Sequence, residues 1–363
     1  MTKRNYNVDL FRMLATIFVI ILHVLGKGGI LQNANPDGTI YWAAWFIEIL
    51  AYCAVNCFAL ISGYIMVNKT IKIKNIIALW FQILFYSLLF TFLFFVLVPE
   101  TRTIKNLVVA FFPVLGKQWW YISSYFGLFF FIPILNVAIG HFSQKMLKMF
   151  LIVILMGVCV IDCIIPIDAF VLNDGYSPIW LIVLYLFGAY IKKYDVKQKT
   201  TALKSVVGFS AMIILTFLSK LVIRFATKNI FGQVKFDDIF ISYTSITVVL
   251  ASIFMFLFCL NIKIGKFPQK AISFFAPATL GVYLVHVHPL VFEYIIKDAF
   301  ITFLYKPLIV MVVCVFAATL AIFVLCSAID LIRIQIFKLI RVGRLCEIID
   351  NKFKGLYLKI FKE

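Results

Sequence analysis

Charged residues are scarce in this sequence. Asp, Glu, Lys and Arg make up 14% of its 363 residues, against about 25% in soluble domains, while 64% are hydrophobic and 17% aromatic. That shortage excludes an ordinary soluble enzyme, because 40 phenylalanines cannot be kept from water in one core of this size. Acidic residues are scarcer still, 16 against 34 Lys and Arg, for a net charge of +18. No stretch between the apolar runs is long enough for a separate soluble domain, and the runs lack the two-residue alternation of an outer-membrane barrel. The eight cysteines form no disulfide framework or zinc motif. Cys53/Cys57 and Cys159/Cys163, each pair four residues apart, read as small residues packing between helices, and no metal site is expected. No small-residue cleavage site follows Leu25, and Arg12 interrupts the first run, so that run is expected to be an uncleaved span rather than a signal peptide.

Long apolar runs are what the chain has instead. A helix crossing a bilayer needs about 20 apolar residues. Runs of that order occupy Leu10–Leu25, Trp42–Val67, Ile76–Val98, Tyr121–Ala138, Met146–Ile165, Tyr176–Ile191, Leu203–Ile223, Phe240–Leu260, Phe274–Ile296 and Leu308–Leu331. The expected fold is all-α and polytopic, with about ten transmembrane helices. With the N-terminus inside, 23 of the 34 Lys and Arg fall on the cytoplasmic side and 9 on the other, Arg12 and Lys220 lying within runs. Both termini are therefore expected in the cytoplasm and the protein in the inner (cytoplasmic) membrane. Its charge is a topology signal and a coat for anionic membrane lipid, and no nucleic-acid partner is expected. Residues 1–332 form the expected transmembrane domain. From Arg333 onward apolar and basic residues alternate, so residues 333–363 are expected to be a basic amphipathic tail on the cytoplasmic surface.

Ionisable groups inside a span cost at least about 2.5–3.5 kcal/mol each, so each needs a reason. Lys220 and Asp162 lie near run ends, where a polar group reaches water. Arg12 and His23 are different: at about 100° and 1.5 Å per residue they share one helix face, about 16.5 Å apart. A guanidinium near the cytoplasmic end stays charged and suits phosphate. An imidazole deeper on the same face takes up a proton near neutral pH. On spacing alone the plainer reading stays open, in which Arg12 snorkels and His23 bonds a neighbouring helix. Glu48 falls within about a turn of the depth of His23. His286 and Glu293, seven residues apart, are expected on one face of the ninth run, with His288 on the other unless Pro289 breaks the helix. Imidazoles and carboxylates gathered at one depth point to a site. No span carries a serine beside a plausible base, so no serine triad is expected.

Several short stretches, taken in order, resemble one family. Asn7-Val8-Asp9-Leu10-Phe11-Arg12-Met13-Leu14-Ala15 followed by His23 is similar to the first-helix signature of the integral-membrane acyltransferases of the acyltransferase-3 type, an Arg, ten residues, then a His. Ile61-Ser62-Gly63-Tyr64 is similar to that family's Ser-Gly-aromatic element. Trp119-Trp120-Tyr121 leading to Pro133-Ile134-Leu135-Asn136 resembles its fourth-helix region, and Leu280-Gly281-Val282-Tyr283-Leu284-Val285-His286 its late Gly-aromatic-Tyr-Leu-His element.

The resemblance implies an acyl-CoA co-substrate, usually acetyl-CoA, taken from the cytoplasm with no tightly bound cofactor. It makes His23 the catalytic histidine and Arg12 the family arginine. Lys69, Lys72 and Lys74 stand where relatives often carry arginine, and a lysine binds phosphate as a point charge without the bidentate fork. Arg12, Ser62, Lys69, Lys72 and Lys74 are then expected to hold the donor, its arm reaching toward His23. His23, oriented by Glu48, is expected to act as general base on an acceptor hydroxyl or as a transient acyl carrier. His286, Glu293, Trp119, Trp120 and Tyr121 are expected on the acceptor side, although an interfacial aromatic belt explains the aromatic residues as well. The resemblance is to stand-alone members, so the expected acceptor is a hydroxyl of an exported or lipid-linked glycan. Association into a homo-oligomer is left open. The alternative is a secondary transporter or lipid-linked sugar flippase, which Pro289 would suit and which the lack of an internal repeat disfavours.

Overall fold

A computed structural model of the protein describes residues 4–70, 72–161, 168 and 170–360, with side chains to residue 354. It is 80% helical, with no strand among the described residues. Six described helices are long and apolar enough to cross a membrane, seven if the pair Lys266–His286 and Pro289–Tyr305, bent by 64°, is one crossing. That is fewer than the ten expected. Two of the apolar runs form helices of only 16 residues, Pro178–Lys193 and Ile246–Asn261. Each is about 24 Å long, short of a hydrocarbon core of about 30 Å. The end of the Met146–Ile165 run, with Asp162 and Cys163, lies outside the described residues.

The helices that place the site are α1 (Tyr6–Leu25), α2 (Thr39–Ala51), α3 (Ala54–Met66), α4 (Ile73–Leu97), α5 (Ile104–Phe111), α6 (Trp120–His141), α7 (Gln144–Ile154), α8 (Pro178–Lys193), α9 (Ala202–Phe231), α10 (Ile246–Asn261), α11 (Lys266–Phe275), α12 (Thr279–His286), α13 (Leu308–Leu339) and α14 (Val342–Ile360). Asn5 caps α1, its side chain accepting from the Val8 amide at 3.3 Å. The helix that sequence reading ends at Leu331 runs on to Leu339 and turns sharply at Arg341, whose φ of 55° is left-handed. The tail helix α14 then folds back onto the first turns of α4, burying Cys346 and pairing Glu347 with Lys74 at 3.3 Å.

The centre of the bundle is α1, which packs on α2, α3, α10, α11, α12 and α13. Its lower half joins one apolar cluster, Phe11 among Leu60, Tyr185 and Phe256, and its upper half another, Ile20 and Leu25 among Tyr86, Val282 and Met311. Long outer helices such as α9 leave most of their surface exposed, as lipid-facing helices do.

In lipid there is little hydrophobic gain in joining two helices, so close van der Waals approach through small residues does the work. The α3–α8 pair shows this. A Cβ on Gly63 would lie 1.9 Å from the Tyr185 carbonyl oxygen, and one on Gly188 would lie 2.0 Å from that of Leu60. This accounts for the glycine of the Ser-Gly-aromatic stretch. Gly188→Val should therefore cost about 2 kcal/mol or more by overpacking. The measurement is thermal unfolding in detergent, and an unchanged midpoint would mean the helices do not meet there.

Candidate active site

Between the two apolar clusters runs a cavity of about 500 Å³. Its lining includes Arg12, Ser62, Met66 and Leu79 toward one end of the bundle, and His23, Glu48, Tyr52, Trp120, Tyr176 and Tyr243 toward the other. Arg12 and His23 thus open onto one passage, as their shared face on α1 requires. Arg12 donates through Nη1 to Asp9 at 3.0 Å, which leaves most of its five donors for a ligand. Ser62 turns its hydroxyl back to the Phe58 carbonyl at 3.0 Å.

The hydrogen bonds around His23 fix its tautomer. His286 Nδ1 lies 2.6 Å from the Val282 carbonyl oxygen, which only accepts, so this nitrogen carries the proton. In the neutral ring Nε2 then bears a lone pair, and it lies 3.1 Å from His23 Nδ1. His23 Nδ1 must therefore donate to His286. The lone pair of His23 is left on Nε2, on a ring that lines the cavity. Phe292 braces that ring edge-on at 4.8 Å. His286 is fully enclosed behind it and does not line the cavity.

Glu48 is not the partner of His23. Its Oε2 is buried without a hydrogen-bond partner among the described residues, and so are the Tyr121 and Tyr283 hydroxyls. All three side chains line the cavity. Buried polar atoms are nearly always paired, so three orphans on one cavity mark the places where a polar ligand would bond. Beside Glu48 stand the aromatic rings of Tyr52, Trp120, Tyr176 and Tyr243, packed on one another at centroid separations of 4.3 to 6.2 Å.

Other expected site residues lie elsewhere. Lys69, Lys72 and Lys74 do not line this cavity, and Lys74 is engaged by Glu347. The shared face expected for His286 and Glu293 is lost. The helix stops at His286 and restarts at Pro289, capped by His288, whose Nδ1 accepts from the Leu290 amide at 3.3 Å. Glu293 is carried to the surface, where it pairs with Lys27 at 2.9 Å and with Lys297. Trp119 points away from the cavity and meets His288 edge-on at 5.5 Å, whereas Trp120 and Tyr121 line the cavity. Lys220 does not snorkel. It is 1% exposed, because Asp237 from the chain after α9 folds back to it at 2.9 Å and the Trp45 ring lies 3.7 Å away.

Asp330 is a residue that sequence reading missed. Fully buried in α13, it accepts from Arg333 through two nitrogens, from Tyr86 at 2.7 Å and from Gln82 at 3.2 Å, tying α4 to α13. It also fills the space above Gly281, where a Cβ would come within 2.0 Å of it. Its signal was present: an acid in a long apolar helix with an arginine three residues on.

A family model described as an acyltransferase domain matches residues 5–328. No curated protein and no solved structure matches the chain.

Proposed function

The chain belongs to the acyltransferase-domain family over nearly its whole length, and from that premise we propose that it moves an acyl group, acetyl first of all, from cytoplasmic acyl-CoA to a hydroxyl of an exported or lipid-linked glycan. The observation that carries this reading is the chain of bonds from the Val282 carbonyl through His286 to His23, which leaves a basic nitrogen on the wall of a cavity reaching from Arg12. In this reading the thioester arm enters past Arg12 and Ser62. His23 Nε2 takes the proton of the acceptor hydroxyl as the oxygen attacks the thioester carbonyl carbon. The carbon–sulfur bond breaks, and the CoA thiolate leaves with that proton. A variant passes the acyl group through His23 itself. Glu48 and the aromatic wall take the acceptor, since a carboxylate bonds sugar hydroxyls and ring faces cover the apolar side of a sugar. The two short helices, the bent pair and the Met146–Ile165 run, whose end lies outside the described residues, complete ten crossings with both termini in the cytoplasm, in the inner membrane.

The test is transfer of label from radiolabelled acetyl-CoA in vesicles holding the protein, with a glycan acceptor supplied. Label on the acceptor and free CoA support the reading. Uptake of glycan without any acyl donor, and no transfer, would favour a transporter. Glu48→Leu removes both carboxyl oxygens, and should raise the acceptor KM by about fivefold or more, the scale of one lost hydrogen bond. An unchanged acceptor KM with a changed donor KM would move Glu48 out of the acceptor subsite.

A further inference from the structure

A second hollow, an open groove of about 710 Å³, lies between α4 and the turn joining α13 to α14. Two residues of its wall, Leu79 and Leu280, are also walls of the central cavity, so the two spaces adjoin across these side chains. Four cations line the groove: Arg333, Lys338, Arg341 and Arg344. Arg333 is held by Asp330 at 2.8 Å. Lys338, Arg341 and Arg344 have no carboxylate partner among the described residues. The left-handed turn at Arg341 also brings the first turn of α14, residues Val342 and Gly343, into the wall, adding backbone donors to the charge. Charges that face one hollow unpaired, with arginine forks among them, fit phosphate oxygens.

We propose that this groove holds the phosphates of the acyl donor, its nucleotide end lying among Lys338, Arg341 and Arg344 while its arm passes Leu79 and Leu280 to His23. The proposal rests on the acyl-CoA reading above and moves the phosphate anchor from Lys69, Lys72 and Lys74 to the cations of α13 and α14. The inner part of the path, from the shared wall to the histidine pair, is short. Leu280 to His286 is about 9 Å along α12. A pantetheine arm is comparable to four extended residues, about 13–14 Å. The cations lie beyond residue 328, where the family match ends.

The experiment is equilibrium binding of CoA and of adenosine 3′,5′-bisphosphate to the full-length protein in phosphatidylcholine nanodiscs, with steady-state transfer alongside. Arg341→Glu/Arg344→Glu should weaken CoA and the bisphosphate by at least about tenfold and raise the donor KM to match, with kcat at saturating donor kept. Arg344→Lys should lose less, and the charge control Lys263→Glu, on an exposed loop, should lose nothing. If the wild type binds CoA and the double variant binds it equally, the groove is not the donor's phosphate site. If the double variant loses only affinity for phosphatidylglycerol vesicles, the cations serve lipid and the proposal falls. A wild type that binds no CoA overturns the donor reading itself, and the groove with it.

Discussion

His23→Ala is expected to lower acyl transfer by at least about 10³-fold while the protein still binds acyl-CoA, the loss expected when the positioned base itself is removed. The reason lies in the hydrogen-bond chain. His286 Nε2 can only accept, so His23 Nδ1 donates and Nε2 is the one basic nitrogen that the pair offers to the cavity. Alanine removes that nitrogen and leaves Arg12, Ser62 and the remaining wall in place. A CoA binding isotherm together with labelled-acetyl turnover separates chemistry from donor binding. A variant that transfers within tenfold of wild type, correctly inserted, would remove His23 from the reaction. The same preparation distinguishes the two forms of the mechanism. Incubated with labelled acetyl-CoA and no acceptor, the wild type should stay unlabelled if His23 is a base, and should carry label if it is an acyl carrier.

The part of this site legible in the sequence is the part that depends on one helix. Arg12 and His23 share a face because eleven residues close three turns of any unbroken α-helix, and α1 is unbroken from Tyr6 to Leu25. The same rule failed for His286 and Glu293, because it presumes a helix that Pro289 interrupts; the displaced His288 then becomes a cap and Glu293 a surface ion pair. Partners between helices were not legible. Glu48 lines the same cavity as His23, yet which side chain meets which depends on how α2 and α12 are set around α1. That setting comes from contacts such as Gly281 of α12 under Asp330 of α13. Composition foretold an all-helical membrane fold, but the number of crossings was less legible, since an apolar run does not say whether its helix is 16 or 25 residues long. Lys220 read as a snorkelling cation because its partner, Asp237, lies seventeen residues on, across a turn of the chain.

His286 is expected to act through His23, and its replacement has the second largest expected effect. His286→Leu removes the acceptor that holds His23 Nδ1–H, freeing the ring to rotate or to adopt the other tautomer. Loss of a residue that orients a catalytic imidazole costs about 10²-fold or more in kcat. Neither KM should move with it, because His286 stands behind His23 and lines no part of the cavity. His286→Gln supplies an amide oxygen to accept from Nδ1 and should recover much of the lost turnover. A role confined to packing predicts the reverse order: leucine, apolar and close in volume, would be tolerated in this enclosed site, whereas glutamine would place a polar amide there. The measurements are kcat and both KM values for the two variants, with thermal unfolding beside them. Full turnover in His286→Leu, or a loss that follows the unfolding midpoint alone, would show that the histidine pair is a structural contact and that His23 is oriented by something else.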